Sequence, residues 1–114
     1  MLLIWYPKCS TCRKAEQFLK EKGFNYQTRD IVLEKPQEEE IVDFLKKANL
    51  PIDKIFNTSG LVYKELNLKD KMQILTFDEK LKLLASNGKL IKRPILVLEN
   101  KVLFGFKMDE WSKL

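Results

Sequence analysis

Apolar residues change their spacing several times along this chain, and each change marks an expected element. Leu2 to Tyr6 is an unbroken apolar run, the pattern of a short strand covered on both faces. From Ser10 to Lys22 the period becomes helical: Cys12, Ala15, Phe18, Leu19 and Lys22 fall on one stripe. Gly23 is placed to end that helix in the left-handed conformation. Phe24 to Thr28 alternates with period two and predicts a second strand. The chain therefore opens as β-α-β.

The middle reads as irregular helix. Pro36 suits a first helical position, and Glu38, Glu39 and Glu40 suit the positive end of a helix dipole. Ile41, Phe44, Leu45 and Ala48 form the buried stripe. Pro51 begins a short helix through Ile55 and Phe56, Asn57 to Gly60 is a turn, and Tyr63 to Leu68 is a further short helix. Thr76 followed three residues later by Glu79 is a capping box, with Leu81, Leu84 and Ala85 as the apolar face behind it. Asn87-Gly88 stops that helix. Ile95 to Leu98 and Val102 to Phe104, separated by Glu99-Asn100-Lys101, predict a β-hairpin, and Met108 to Leu114 one last short helix. The order β-α-β, helices, β-β-α fits an α/β, thioredoxin-like fold: one domain over 1–114, a mixed four-stranded sheet, and a helical insertion at about 33–88.

Composition narrows the function classes. With 114 residues and 45 % apolar content the chain can build a core without staples. The net charge of +5 suggests nucleic acid at first sight. But the cations are eighteen lysines and three arginines (Arg13, Arg29, Arg93), scattered among 16 acids. Readers of phosphate and bases favour clustered arginine, so direct nucleic-acid contact is not expected. Lys80, Lys82, Lys89, Lys92 and Arg93 form the one local run without acids, a weak docking face. Met1 to Trp5 lacks a basic leader region, and no segment has the roughly 20 apolar residues of a membrane span. A cytoplasmic protein without membrane contact, monomeric, is the expectation.

The chemistry concentrates at one place. Cys9 and Cys12 are the only cysteines, and there is no histidine. They fall where the first strand hands over to the first helix. Free N–H groups and the helix dipole there stabilise an anion, so Cys9 is placed to be a thiolate nucleophile. Lys8 and Arg13 bring positive charge nearby. Cys12 lies one turn further in on the buried stripe, placed to resolve a mixed disulfide. Lys8, Ser10 and Thr11 around the thiols are the candidate substrate-binding residues. Two rival readings stand beside this one: a pair of small core residues, or a zinc site. Zinc wants four N or S ligands and would have to find two outside this pair; no metal ligand is assigned. Lack of histidine excludes a Cys-His hydrolase.

A second feature is Lys92-Arg93-Pro94, directly before the third strand. In a thioredoxin-like fold the loop opposite the C-x-x-C helix commonly carries a cis proline packed beside the thiols. Pro94 would then shape the substrate side. Arg93 would face Cys9, to stabilise its thiolate or hold an oxyanion with two parallel hydrogen bonds.

Tyr6 to Ala15 and Lys92 to Val97 resemble the arsenate reductase and Spx family. Phe56 to Leu66 and Val102 to Lys107 resemble its arsenate-reductase-like branch in Gram-positive bacteria. The resemblance spans nearly the whole chain and implies a thioredoxin fold with catalytic Cys9. The glutaredoxin-linked arsenate reductases hold their oxyanion with three arginines. Arg93 matches one; the other two positions fall at uncharged Asn57 and Gly105. Each charged hydrogen bond is worth roughly 1.5–3 kcal/mol, so the loss weakens oxyanion binding. Those enzymes also usually lack the second cysteine, here Cys12.

The leading expectation is therefore a thiol–disulfide oxidoreductase acting on a protein or small-molecule disulfide. It needs no bound cofactor and draws electrons from a glutathione-like thiol or thioredoxin. Arsenate reduction with a glutathione or glutaredoxin-type reductant is the alternative. The resemblance also implies a third reading, a Spx-like redox-sensing regulator that binds the RNA polymerase α subunit. It is the lesser expectation, because such regulators usually continue past the last core helix.

Overall fold

The computed structural model describes residues 1–114. Four strands form one sheet in the order β2-β1-β3-β4. They are β1 (Leu2–Trp5), β2 (Gln27–Asp30), β3 (Ile95–Val97) and β4 (Val102–Phe104). β1 runs parallel to β2 and antiparallel to β3, and β3 and β4 form the antiparallel hairpin. This is the expected mixed thioredoxin-like sheet.

The register explains why the strands read as continuous apolar runs. Leu3, Leu96 and Leu103 stand opposite one another across three strands, and so do Ile4, Ile95 and Phe104. Successive side chains point to opposite faces, so the two rows serve two different cores. The leucine row joins Ala15, Leu19 and Trp111. These come from α1 (Ser10–Glu21) and α6 (Met108–Trp111). The other row joins a larger cluster with Ile41, Phe44, Leu81 and Leu84. Those lie on α2 (Glu38–Ala48) and α5 (Phe77–Ser86). Truncating such fully buried leucines to alanine costs about 2–5 kcal/mol.

Between α2 and α5 lie a 3-10 turn at Ile52–Ile55 and two short helices, α3 (Leu61–Glu65) and α4 (Leu68–Lys71). The expected helix over Tyr63 to Leu68 is thus broken, because Asn67 takes a left-handed conformation at φ 52° and restarts the chain. Pro36 does not open α2. Gln37 caps that helix, its side chain and that of Glu40 satisfying each other's backbone N–H groups. The capping box at Thr76 forms as expected, with the Glu79 N–H donating to Thr76 Oγ1 at 3.1 Å.

The second strand lies three residues later than its alternation suggested. Phe24 and Tyr26 are indeed half-buried, against the leucine-row cluster. They belong to the connection returning from α1. Pairing with β1 begins where the backbone reaches Leu2, opposite Gln27. On this edge strand Arg29 makes a bidentate pair with Glu40 of α2, at 2.7 and 2.9 Å. It also donates to the Glu34 carbonyl at 2.8 Å, so β2 and α2 are tied together.

Candidate functional site

Beyond Trp5 the chain turns, closed by the Cys9 N–H donating to the Tyr6 carbonyl at 2.9 Å. Cys9 is then the capping residue of α1, with extended backbone, and its carbonyl accepts the helix's first hydrogen bond from Arg13 at 3.1 Å. No acidic residue occupies the first turn, so no carboxylate competes for the free N–H groups. Cys9 is half-buried and Cys12 buried, both as free thiols.

The two thiols titrate in opposite directions. Burial pushes Cys9 up, but the Cys12 thiol, the Cys12 backbone N–H and the Arg93 guanidinium together hold it below its ordinary value. Burial pushes Cys12 up to about 12, helped by the neighbouring Cys9 and opposed by the Tyr6 backbone. Arg93 is the cation that bears on Cys9. Arg13 instead turns back, donating to the Pro7 carbonyl at 2.9 Å.

Cys9 opens into a cavity of about 480 Å³. Cys9 and Thr11 form the wall from the start of α1. Asn57, Ser59 and Gly60 close it from the loop after the 3-10 turn. Lys92 and Arg93 enter just before β3, and Gly105, Phe106 and Lys107 just after β4. The Asn57 loop is fastened to the segment before β3. The Asn57 N–H donates to the Leu90 carbonyl and the Lys92 N–H to the Ile55 carbonyl, each at 2.7 Å. Asn57 Nδ2 and Arg93 Nη1 converge on the Lys89 carbonyl, at 3.4 and 3.3 Å. The Arg93 guanidinium also lies 5.3 Å from the Tyr6 ring centre, while its Nε is buried with no hydrogen-bond partner.

Of the candidates from sequence, Cys9, Thr11 and Arg93 share this cavity, with Cys12 behind Cys9. Pro94 is buried beside it, after a cis Arg93–Pro94 bond, and its carbonyl accepts the Gly105 N–H at 2.8 Å. Lys8 and Ser10 are exposed and do not line the cavity. Asn57 and Gly105, the positions matched to the missing arginines, do line it. Ser59, Gly60, Lys92, Phe106 and Lys107 also line it and were not among the candidates. Their sequence signal is that they fall inside the segments that carry the family resemblance. No group of three or more His, Cys, Asp or Glu side chains is placed to hold a metal, and no helix is long and apolar enough to cross a membrane.

Residues 4–114 match the ArsC family. The chain belongs to that family. Among its relatives, the YusI protein of Bacillus subtilis is 47 % identical over 109 residues, spanning 96 % of this chain and 92 % of that protein. The global transcriptional regulator Spx of Listeria monocytogenes is 30 % identical over 91 % of this chain and 78 % of its own length. A solved ArsC family related protein from Bacteroides fragilis superposes with a TM-score of 0.94 at 49 % identity, over 98 % of this chain and 94 % of that one. The ArsC-family fold is thus thioredoxin-like here, and Cys9 and Cys12 fit a Cys-x-x-Cys pair.

Proposed function

We propose that this ArsC-family chain is a thiol–disulfide oxidoreductase. The observation that carries this reading is the inequality of its thiols. Cys9 sits at a helix start with its charged form favoured, and Cys12 lies buried one turn behind with its proton held. The Cys9 thiolate attacks a substrate disulfide, and the released half leaves as a thiolate. Cys12 then gives up its proton and displaces the second half, leaving the Cys9–Cys12 disulfide. The substrate gains two electrons, and a glutathione-like thiol or thioredoxin returns them to the protein. Arg93 and Pro94 shape the substrate side.

Two other readings have an observation behind them. Cations along the cavity would also attract an oxyanion, which favours arsenate reduction with a thiol reductant. The likeness to Spx favours a regulator that uses the same pair as a redox switch and docks on RNA polymerase. Disulfide chemistry is preferred over arsenate because only Arg93 among the lining residues offers a planar fork, and a dithiol is present to close the cycle.

The test is turnover of a disulfide and of arsenate on one preparation, with both cysteine variants. Cys9→Ser is expected to abolish exchange. Cys12→Ser is expected to accumulate a mixed disulfide on Cys9, read by intact mass. A Cys12→Ser protein that traps nothing, together with a wild type that turns over arsenate alone, would remove the exchange reading.

A further inference from the structure

We propose that the Cys9 cavity selects disulfides that carry carboxylates, with Lys92 and Lys107 as the residues that bind them. The inference rests on the exchange chemistry above and names its substrate class. The cavity wall carries three cations, Lys92, Arg93 and Lys107, and no acid, in a chain where 16 acids are spread over the surface.

Lys92 lies over the space that a side chain at 105 would fill. Gly105 adopts φ +81°, and a Cβ there would come within 3.2 Å of Lys92 Cε and 4.0 Å of its Nζ. The lysine therefore lies across bare backbone, and a Cβ at 105 would make its stem give by a few tenths of an ångström. Trp111 Nε1 fixes that backbone by donating to the Gly105 carbonyl at 3.1 Å. Arg93 adds a third positive charge at the same wall, directed at Cys9. Lys92 and Lys107 also border a smaller cavity of about 150 Å³ with Lys47, Lys54 and Lys101, where Glu110 is the only acid. Positive potential thus continues outward from the thiol and would raise the local concentration of an anionic substrate.

Carboxylates fit this wall better than a tetrahedral oxyanion. Lysine is a point charge on a flexible stem and can follow a carboxylate at the end of a mobile arm, while Arg93, the one planar fork in the wall, already acts on Cys9. The space at Cys9, about 480 Å³, exceeds what a tetrahedral oxyanion needs. The bond changes are those given above: the substrate S–S bond breaks, two substrate thiolates leave, and the Cys9–Cys12 bond forms.

The experiment is a single turnover of the reduced full-length protein against three small disulfides: dithiodipropionate (dianionic), hydroxyethyl disulfide (neutral) and cystamine (dicationic). Each rate is divided by that of the same disulfide with free mercaptoethanol. Each solvent-accessible cation contributes roughly 1.5- to 5-fold, so dithiodipropionate is expected to exceed hydroxyethyl disulfide about tenfold, with cystamine slowest. Added salt shrinks that ratio. The double variant Lys92→Gln, Lys107→Gln brings it to about threefold or less. Equal rates for all three disulfides, or an undiminished ratio in the double variant, overturn the inference while leaving the exchange reading intact. Failure of all three to react removes both. Inorganic arsenate is the last arm. Protection of Cys9 from iodoacetamide by arsenate, without any advantage for dithiodipropionate, assigns the cavity to an oxyanion and overturns the carboxylate reading.

Discussion

Arg93→Ala separates the electrostatic role of this residue from a packing role. In the folded protein its guanidinium favours the Cys9 thiolate by hydrogen bonding and charge. A charged hydrogen bond is worth roughly 1.5–3 kcal/mol, but Cys9 is half-exposed, and solvent screening reduces this to about 1 kcal/mol. That corresponds to about a fivefold smaller thiolate fraction at a pH where Cys9 is mostly protonated. A more basic thiolate is also a better nucleophile, with a Brønsted slope of about 0.4–0.5, which returns roughly twofold. The iodoacetamide rate of Arg93→Ala is therefore expected to be about 2.5-fold below wild type in acid and about twofold above it once both proteins are ionised. The two pH profiles cross. Cys12 does not confuse the measurement, since at about 12 it stays protonated throughout. Profiles that superimpose, or a variant slower at every pH, would show that Arg93 does not set the charge state of Cys9.

Arg29→Met is expected to cost about 1–2 kcal/mol by urea unfolding at neutral pH, since it removes a bidentate charged pair between β2 and α2. Arg29 holds the Glu40 carboxyl below its ordinary value. That contribution is present above the usual 4.5 and lost as pH falls through the lowered folded value. The gap between wild type and variant should therefore narrow in acid to what the Glu34 carbonyl contact leaves, and a constant gap would contradict the pairing. Gly88→Ala places a Cβ into the Ile31 carbonyl; overpacking of this kind costs about 3 kcal/mol, and a loss under about 0.5 kcal/mol in the same assay would refute the close approach.

Strands and helix faces were legible because each is fixed by local pattern. Leu3 and Ile4 read as core on both faces, and the register bears that out. Thr76 and Glu79 announced a helix start. Elements set by long-range pairing were less visible. The alternation of Phe24 and Tyr26 reported which side chains turn inward, whereas the strand begins at Gln27 because β1 reaches only that far. The same distinction applies to the site. The nearness of Cys9 to Cys12 follows from three-residue spacing on a helix. Arg93 could be expected through the proline that follows it. Lys107 could not, because its approach to Cys9 depends on the β3–β4 hairpin folding back onto β1. Lys8 and Arg13 illustrate the converse: adjacency in sequence suggested charge near the thiol, but Arg13 faces the Pro7 carbonyl, and Lys8 lies outside the cavity.

The thiols and the opposite wall of the cavity rest on one small cluster. Ala15 and Leu19 anchor α1, and Trp111 joins them beneath the leucine row of the sheet. The Trp111 indole reaches the Gly105 carbonyl, and the Gly105 N–H reaches the Pro94 carbonyl. So the helix that presents Cys9 and the hairpin that presents Arg93, Pro94 and Gly105 are packed against the same side chains. A site held on such shared rigid elements keeps its distances without a bound ligand. Cys12 belongs to the same stripe as Ala15 and Leu19. Its periodicity marks it as a core residue, and in the proposed exchange its position makes it the resolving thiol. The two go together, because the burial that packs Cys12 is also what raises its thiol to about 12.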